Sequence, residues 1–295
     1  MSDQTVQLPT HYKHSRTYIV DQNTTKDNHL VRGNLPLEDD GSFAWTKLNA
    51  QLQTLLGTSF DLGDYTFIDV TLIDNSDEGT SFDAELAVFG IDPGAPENKW
   101  CTLWPPYYRY NLPENQNKGF DIKKIHGTEI SGDKSHKGGL VWWPVQPCDG
   151  STSDCKNIAV NQFAFPDLIK YLNTLLNTEE KTIIYYHCMH GHDRTSAVTA
   201  SYLTKYKESQ LAAAFKNDEI QVAKDLKTET GQKLMDAEDK KAKMAPYIKD
   251  NEGPLYVALY DPPPAGAYID GFEWEGTYPD TVKWYYTTYV KSQNS

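Results

Sequence analysis

The chain has 295 residues, of which 39% are hydrophobic and 12% aromatic, a composition that supports a full buried core and excludes a disordered chain. A formal charge of -13 disfavours a nucleic-acid binder, because duplex affinity draws on Lys and Arg neutralising phosphates. Residues 1–18 are polar without the apolar core of a signal peptide, and no run reaches the roughly 18 apolar residues of a membrane span, so the chain is expected to be soluble.

In chain order, residues 1–29 are expected to form an N-terminal extension to a single domain over 30–295. Trp45, Leu48, Leu52, Leu55 and Leu56 fall on one helical face behind Asp39, Asp40 and Ser42 as candidate caps, and the run Phe67 to Ile73 reads as a buried strand. Residues 74–139 are rich in Gly, Pro, Asn and charge and are expected to be an insertion. Leu140 to Val145 reads as a strand that emerges into the polar, turn-forming segment Pro147 to Asp154.

Leu168, Leu172, Leu175 and Leu176 recur at helical spacing, with Pro166 and Asp167 in the first turn, and the apolar strand Thr182 to Tyr186 follows. A helix continues over Ala197 to Tyr206. Residues 207–295 are expected to be a C-terminal extension, helical and charged over Ser209 to Lys249. In it, Asp261-Pro262-Pro263-Pro264 excludes helix, and the aromatic run Trp284 to Tyr289 fits packing better than ligand binding. Helices separating buried strands indicate an α/β fold with a central, largely parallel sheet flanked by helices.

Cys101, Cys148, Cys155 and Cys188 are too few and too scattered for a disulfide framework, and none has zinc-ligand spacing, so neither structural metal nor cofactor is expected. Cys148 and Cys155 bracket a short polar loop and are either bridged or two free thiols.

Chemistry concentrates in His187-Cys188-Met189-His190-Gly191-His192-Asp193-Arg194-Thr195. A strand that ends in a loop leading into a helix gathers backbone N–H groups around one point, where the helix dipole adds positive potential suited to a phosphate dianion. Cys188 at the strand end would be favoured there as a thiolate, the form that attacks phosphorus. The planar guanidinium of Arg194 can clamp two phosphate oxygens through the transition state, Gly191 permits the tight turn, and Thr195 can hydrogen-bond the leaving sulfur. Arginine is scarce, with only Arg16, Arg32, Arg109 and Arg194 present. A chance Cys with Arg six residues later is therefore expected about 0.05 times in such a chain.

The pattern Cys188-x5-Arg194-Thr195 resembles the signature of the protein tyrosine phosphatase superfamily, including dual-specificity and phosphoinositide phosphatases. Leu30-Val31-Arg32-Gly33-Asn34-Leu35-Pro36, the helix after it, and Ile68-Asp69-Val70 look like the opening of compact dual-specificity domains, where an Arg-containing turn precedes the first helix. Arg32 could equally serve a surface ion pair. The similar pieces span Leu30 to Tyr206. The resemblance implies hydrolysis of phosphate monoesters through a phosphocysteine intermediate, without a cofactor.

It also implies a general acid on a loop upstream of the nucleophile. Asp149, 39 residues before Cys188, follows a strand as expected, and Asp154, 34 residues before, has the better spacing. Asp193 is a third candidate, since the Asp-Arg-Thr ending resembles myotubularin-type loops; alternatively it orients Arg194. Met189, His190, Gly191, His192 and Asp193 would line the substrate side. His190 and His192, partly charged near neutral pH, lean towards a phosphoinositide or inositol polyphosphate. Phosphotyrosine protein is the competing substrate, with Trp104, Tyr107 and Tyr108 available as an aromatic wall. Lys123, Lys124, His126, Lys134 and His136 either overhang the pocket or are solvated. A reading of another class is an inactive phosphate-recognising module.

Overall fold

The computed structural model describes residues 12, 16–73, 79–92, 129–130, 133–145, 165–191, 193–207, 268–269, 272–273 and 278–290. The chain divides into two compact units, 1–144 with 172–190, and 145–171 with 191–295.

The first unit holds an α/β sheet, mixed and mostly parallel, of five full strands and a two-residue edge strand. Its elements are β1 (Tyr18–Asn23), β2 (Asn28–Asn34), α1 (Trp45–Leu56), β3 (Thr66–Thr71), α2 (Gly79–Val88), β4 (Glu129–Ile130), β5 (Asp133–Trp142) and β6 (Thr182–Cys188). Helix α3 (Phe165–Leu176) precedes β6 and is divided between the units after Tyr171. The strand order is β1-β2-β6-β3-β5-β4. β2, β6, β3 and β5 run parallel, while β1 and β4 close the edges antiparallel. β6, the last of these strands in sequence, thus fills the slot between β2 and β3, and the carboxyl ends of all four parallel strands share one edge.

Every residue of β2, β3 and β6 is buried. Parallel strands covered on both faces read as continuous apolar runs, which is why β3 and β6 stand out in the sequence. β2 does not, because four of its seven residues are the buried polar Asn28, His29, Arg32 and Asn34. Arg32 is therefore neither in a turn nor at the surface: it lies within β2 and is 4% exposed. Asn28 compensates its own burial by bonding across the sheet, donating Nδ2 to the carbonyls of Leu176 (3.1 Å) and Thr178 (2.8 Å) and accepting the Thr182 N–H at 2.8 Å.

Several expectations need correction. β1 and the start of β2 fall within the stretch expected to be an N-terminal extension, yet they pair into the sheet. The expected insertion contains α2 and the first seven residues of β5, so only part of it lies outside regular structure among the described residues. Helix α1 begins behind Ala44 with no side-chain cap, while Asp40 instead accepts from the Ser42 N–H (2.9 Å) and hydroxyl (2.6 Å) in the preceding turn. Leu48 and Leu52 of α1 are buried, whereas Leu55 points outward. His136, read either as overhanging a pocket or as solvated, is half-buried and stacks on Trp45 at 4.1 Å.

In the second unit, α4 (Asp193–Tyr206) packs with α5 (Tyr278–Tyr285), which continues into a π-turn over Tyr286–Val290; β7 (Tyr268–Ile269) and β8 (Phe272–Glu273) form a short hairpin. All residues from Thr195 to Thr204 are buried, the pattern of a helix enclosed on every side. Its hydroxyls find partners locally, as when Thr199 donates to the Thr195 carbonyl at 2.7 Å. The C-terminal aromatics pack: Tyr285 lies 5.8 Å from Phe165 and 5.6 Å from Tyr289. Among the described residues no helix is long and apolar enough to cross a membrane.

Candidate catalytic site

In an open parallel sheet, the carboxyl ends of the strands are where ligands bind. Cys188 occupies that end of β6, flanked in register by Asn34 of β2. Two backbone bonds hold the strand past its last pairs: the Leu72 N–H donates to the His187 carbonyl at 2.8 Å, and the Leu35 N–H to the Met189 carbonyl at 3.2 Å. The Cys188 thiol is not in a disulfide and is 4% exposed. Met189 is also buried, and His190 is exposed.

The chain then turns at Gly191, whose φ of 73° lies in the left-handed region that glycine adopts without strain, and enters α4 at Asp193. Arg194, partly buried, and Thr195, fully buried, stand in the first turn of α4. Cys188, Met189 and His190 belong to the first unit, and Gly191, Asp193, Arg194 and Thr195 to the second. The acid candidates Asp149 and Asp154, together with His192, Cys148, Cys155, Trp104, Tyr107 and Tyr108, lie outside the described residues, as does the side chain of Asp193.

Strand alternation puts His187 on the opposite face of β6 from Cys188, beside Tyr185 and the odd-numbered residues of β3. There His187 Nε2 lies 2.8 Å from Glu85 Oε1 and 3.1 Å from Asp69 Oδ1, with all three side chains fully buried. Glu85 arrives from α2, whose Ser81, Phe82, Glu85 and Leu86 form its buried stripe. The other ring nitrogen, Nδ1, is 3.3 Å from the Cys188 carbonyl.

The electrostatics of this cluster are severe. Burial raises the Asp69 carboxyl to about 7, with His187 opposing and Glu85 adding to the rise. Burial by itself would lower the His187 imidazole, but Glu85 and Asp69 outweigh it and raise it well above its usual value. Tyr185 completes the layer: its hydroxyl donates to the Asn34 carbonyl at 2.7 Å, and its ring centroid lies 5.6 Å from that of His187.

Asp69 and Glu85 were not singled out as functional from sequence. For Asp69 a signal existed, since a charged residue inside Phe67-Ile68-Asp69-Val70 must be buried and matched. Glu85 carried none, because it falls in the stretch read as an insertion, where a Glu is ordinarily solvated, and its helix has no amphipathic pattern to mark a buried face. Comparisons with protein-family models, with curated proteins and with solved structures found no match.

Proposed function

We propose that the chain is a cysteine-dependent phosphatase that hydrolyses phosphate monoesters, with Cys188 as nucleophile and Arg194 as phosphate clamp. One observation carries this reading. A buried thiol ends the central parallel strand, and after four residues the chain, having turned through Gly191, enters a helix bearing Arg194-Thr195 in its first turn. That order of strand, short turn and helix is what phosphate binding by backbone N–H groups requires.

In the proposed reaction the thiolate attacks phosphorus, the ester oxygen leaves with a proton from an acid, and water then releases phosphate from the sulfur, which Thr195 stabilises as leaving group. Asp149, Asp154 and Asp193 remain the acid candidates. Exposure of His190 supports a cationic contact with a multiply phosphorylated substrate, so an inositol polyphosphate or phosphoinositide is preferred over phosphotyrosine.

Phosphate release from phosphopeptides, phosphoinositides and soluble inositol phosphates at pH 5 and 7 tests this directly. Turnover by the wild type and its loss in Cys188→Ser are expected, with phosphate binding retained. Phosphate binding without turnover by the wild type would instead establish a recognition module. Loss of the acid should slow alkyl phosphates far more than activated aryl ones, which separates Asp149→Asn from Asp154→Asn and Asp193→Asn.

A further inference from the structure

The cluster beneath the nucleophile has no part in the phosphate chemistry proposed above, and its hydrogen bonding does not close. Both oxygens of Asp69 and Oε2 of Glu85 accept no hydrogen bond, although each is buried where water does not reach. Such oxygens cost several kcal/mol unless something positive meets them. His187 cannot meet them all, since its Nε2 is directed at Glu85 Oε1 and approaches Asp69 Oδ1 without alignment.

The tautomer sharpens the problem. Nδ1 faces the Cys188 carbonyl at 3.3 Å, a contact that favours a proton on Nδ1. With that proton alone, the imidazole would present the Nε2 lone pair to two carboxylates, and the three groups together would carry a charge of -2. Two protons or one divalent cation neutralises that charge. With two protons, one on Nε2 and one shared between the carboxyls, an Asp69 oxygen still has no donor. A cation instead satisfies several oxygens at once.

We propose that Asp69, Glu85 and His187 form a structural site for one divalent first-row cation. The group is the one set of three His, Cys, Asp or Glu ligands found close together among the described residues, with its ligand atoms all within 4.8 Å of one another. The distances of 2.8 and 3.1 Å around Nε2 match the spacing of about 3 Å between neighbouring ligands on a cation with bonds of about 2.1 Å. One imidazole and two carboxylates suit Zn²⁺ or Mn²⁺. A ring N–H facing a backbone carbonyl is the usual means of orienting a ligating histidine. Full burial leaves no position open to substrate, so the cation would tie β3, α2 and β6 together beneath Cys188 and would be acquired as the chain folds.

The full-length chain, purified without chelator, is assayed for metal by mass spectrometry. It is then unfolded in chelator and refolded with Zn²⁺, with Mn²⁺ or with neither. About one equivalent of metal per chain is expected, with Tm higher by at least roughly 5 °C in the protein refolded with the preferred ion. Asp69→Asn and Glu85→Gln should each reduce the content below about a tenth of an equivalent and abolish the Tm response. Trace metal in the wild type and a Tm indifferent to both ions would overturn the proposal in favour of the two-proton state. Retention of a full equivalent by the Asp69→Asn/Glu85→Gln double variant would overturn it by putting the metal elsewhere. Should the variants fail to fold, metal content and refolding of the wild type still decide the matter, and neither depends on phosphatase turnover.

Discussion

Replacing Gly33 by alanine is expected to damage the sheet next to Cys188 through one identifiable contact. A Cβ at residue 33 would fall inside the van der Waals envelope of the Tyr185 hydroxyl and ring, where even Cε2 is only 2.8 Å away. The ring is fully buried and cannot move without displacing its neighbours. Overpacking of this kind costs about 1–3 kcal/mol. Moving the ring also breaks the 2.7 Å bond from its hydroxyl to the Asn34 carbonyl, a further loss of about 1 kcal/mol.

Gly33→Ala should therefore destabilise by about 2–4 kcal/mol, and Tyr185→Phe, which removes the hydroxyl alone, by about 1 kcal/mol. Because both variants lose the same hydrogen bond, the double variant should cost about 1 kcal/mol less than the sum. Urea unfolding midpoints of the four proteins, with slopes checked for constancy, measure this cycle. A Gly33→Ala cost below about 1 kcal/mol, or strictly additive costs, would show that the contact with Tyr185 is not what excludes a side chain there.

Two further outcomes follow from the same sheet. Asn28→Ala removes three hydrogen bonds, two buried and one partly buried, that link β2 to the segment from Leu176 to Thr182, so a loss of about 3 kcal/mol is expected in thermal or urea unfolding, and a loss under about 1 kcal/mol would contradict the pairing described. Burial lowers the His29 imidazole below its usual value, with the bond to Asp27 only partly opposing it. The unfolded chain then takes up a proton near pH 6.5 that the folded chain resists, so this residue's contribution is present above that pH and is lost as pH falls. The stability difference between His29→Gln and the wild type should shift in favour of the variant from pH 7 to pH 5, and a constant difference would refute the assignment.

What the sequence made legible follows from which faces are covered. β3, β6 and α3 carry apolar patterns that match their burial, so their existence and order were readable, as was the strand-turn-helix around Cys188. β2 was hidden because its polar residues are matched by distant partners, such as Asn28 with Thr182, that no local window contains. Arg32 was misplaced for the same reason. The Asp69–Glu85–His187 cluster joins the consecutive elements β3 and α2 to a strand about a hundred residues later, and only the sheet register and the seat of α2 bring them together. Capping residues misled in the opposite direction, since Asp40 and Ser42 satisfy each other in a turn before α1 begins.

The insertion of β6 between β2 and β3 also bears on how the protein is made. Until the segment from Thr182 to Cys188 has left the ribosome, β2 and β3 cannot be joined, and each exposes an unpaired edge. The two inner pairings of β6 span more than a hundred residues of chain, which makes them slow to form and leaves the nascent chain open to intermolecular strand pairing. The same late strand carries Cys188, so the residue proposed as nucleophile is seated only when the sheet itself is complete. A truncated or stalled product should therefore be aggregation-prone and, under the proposed function, inactive.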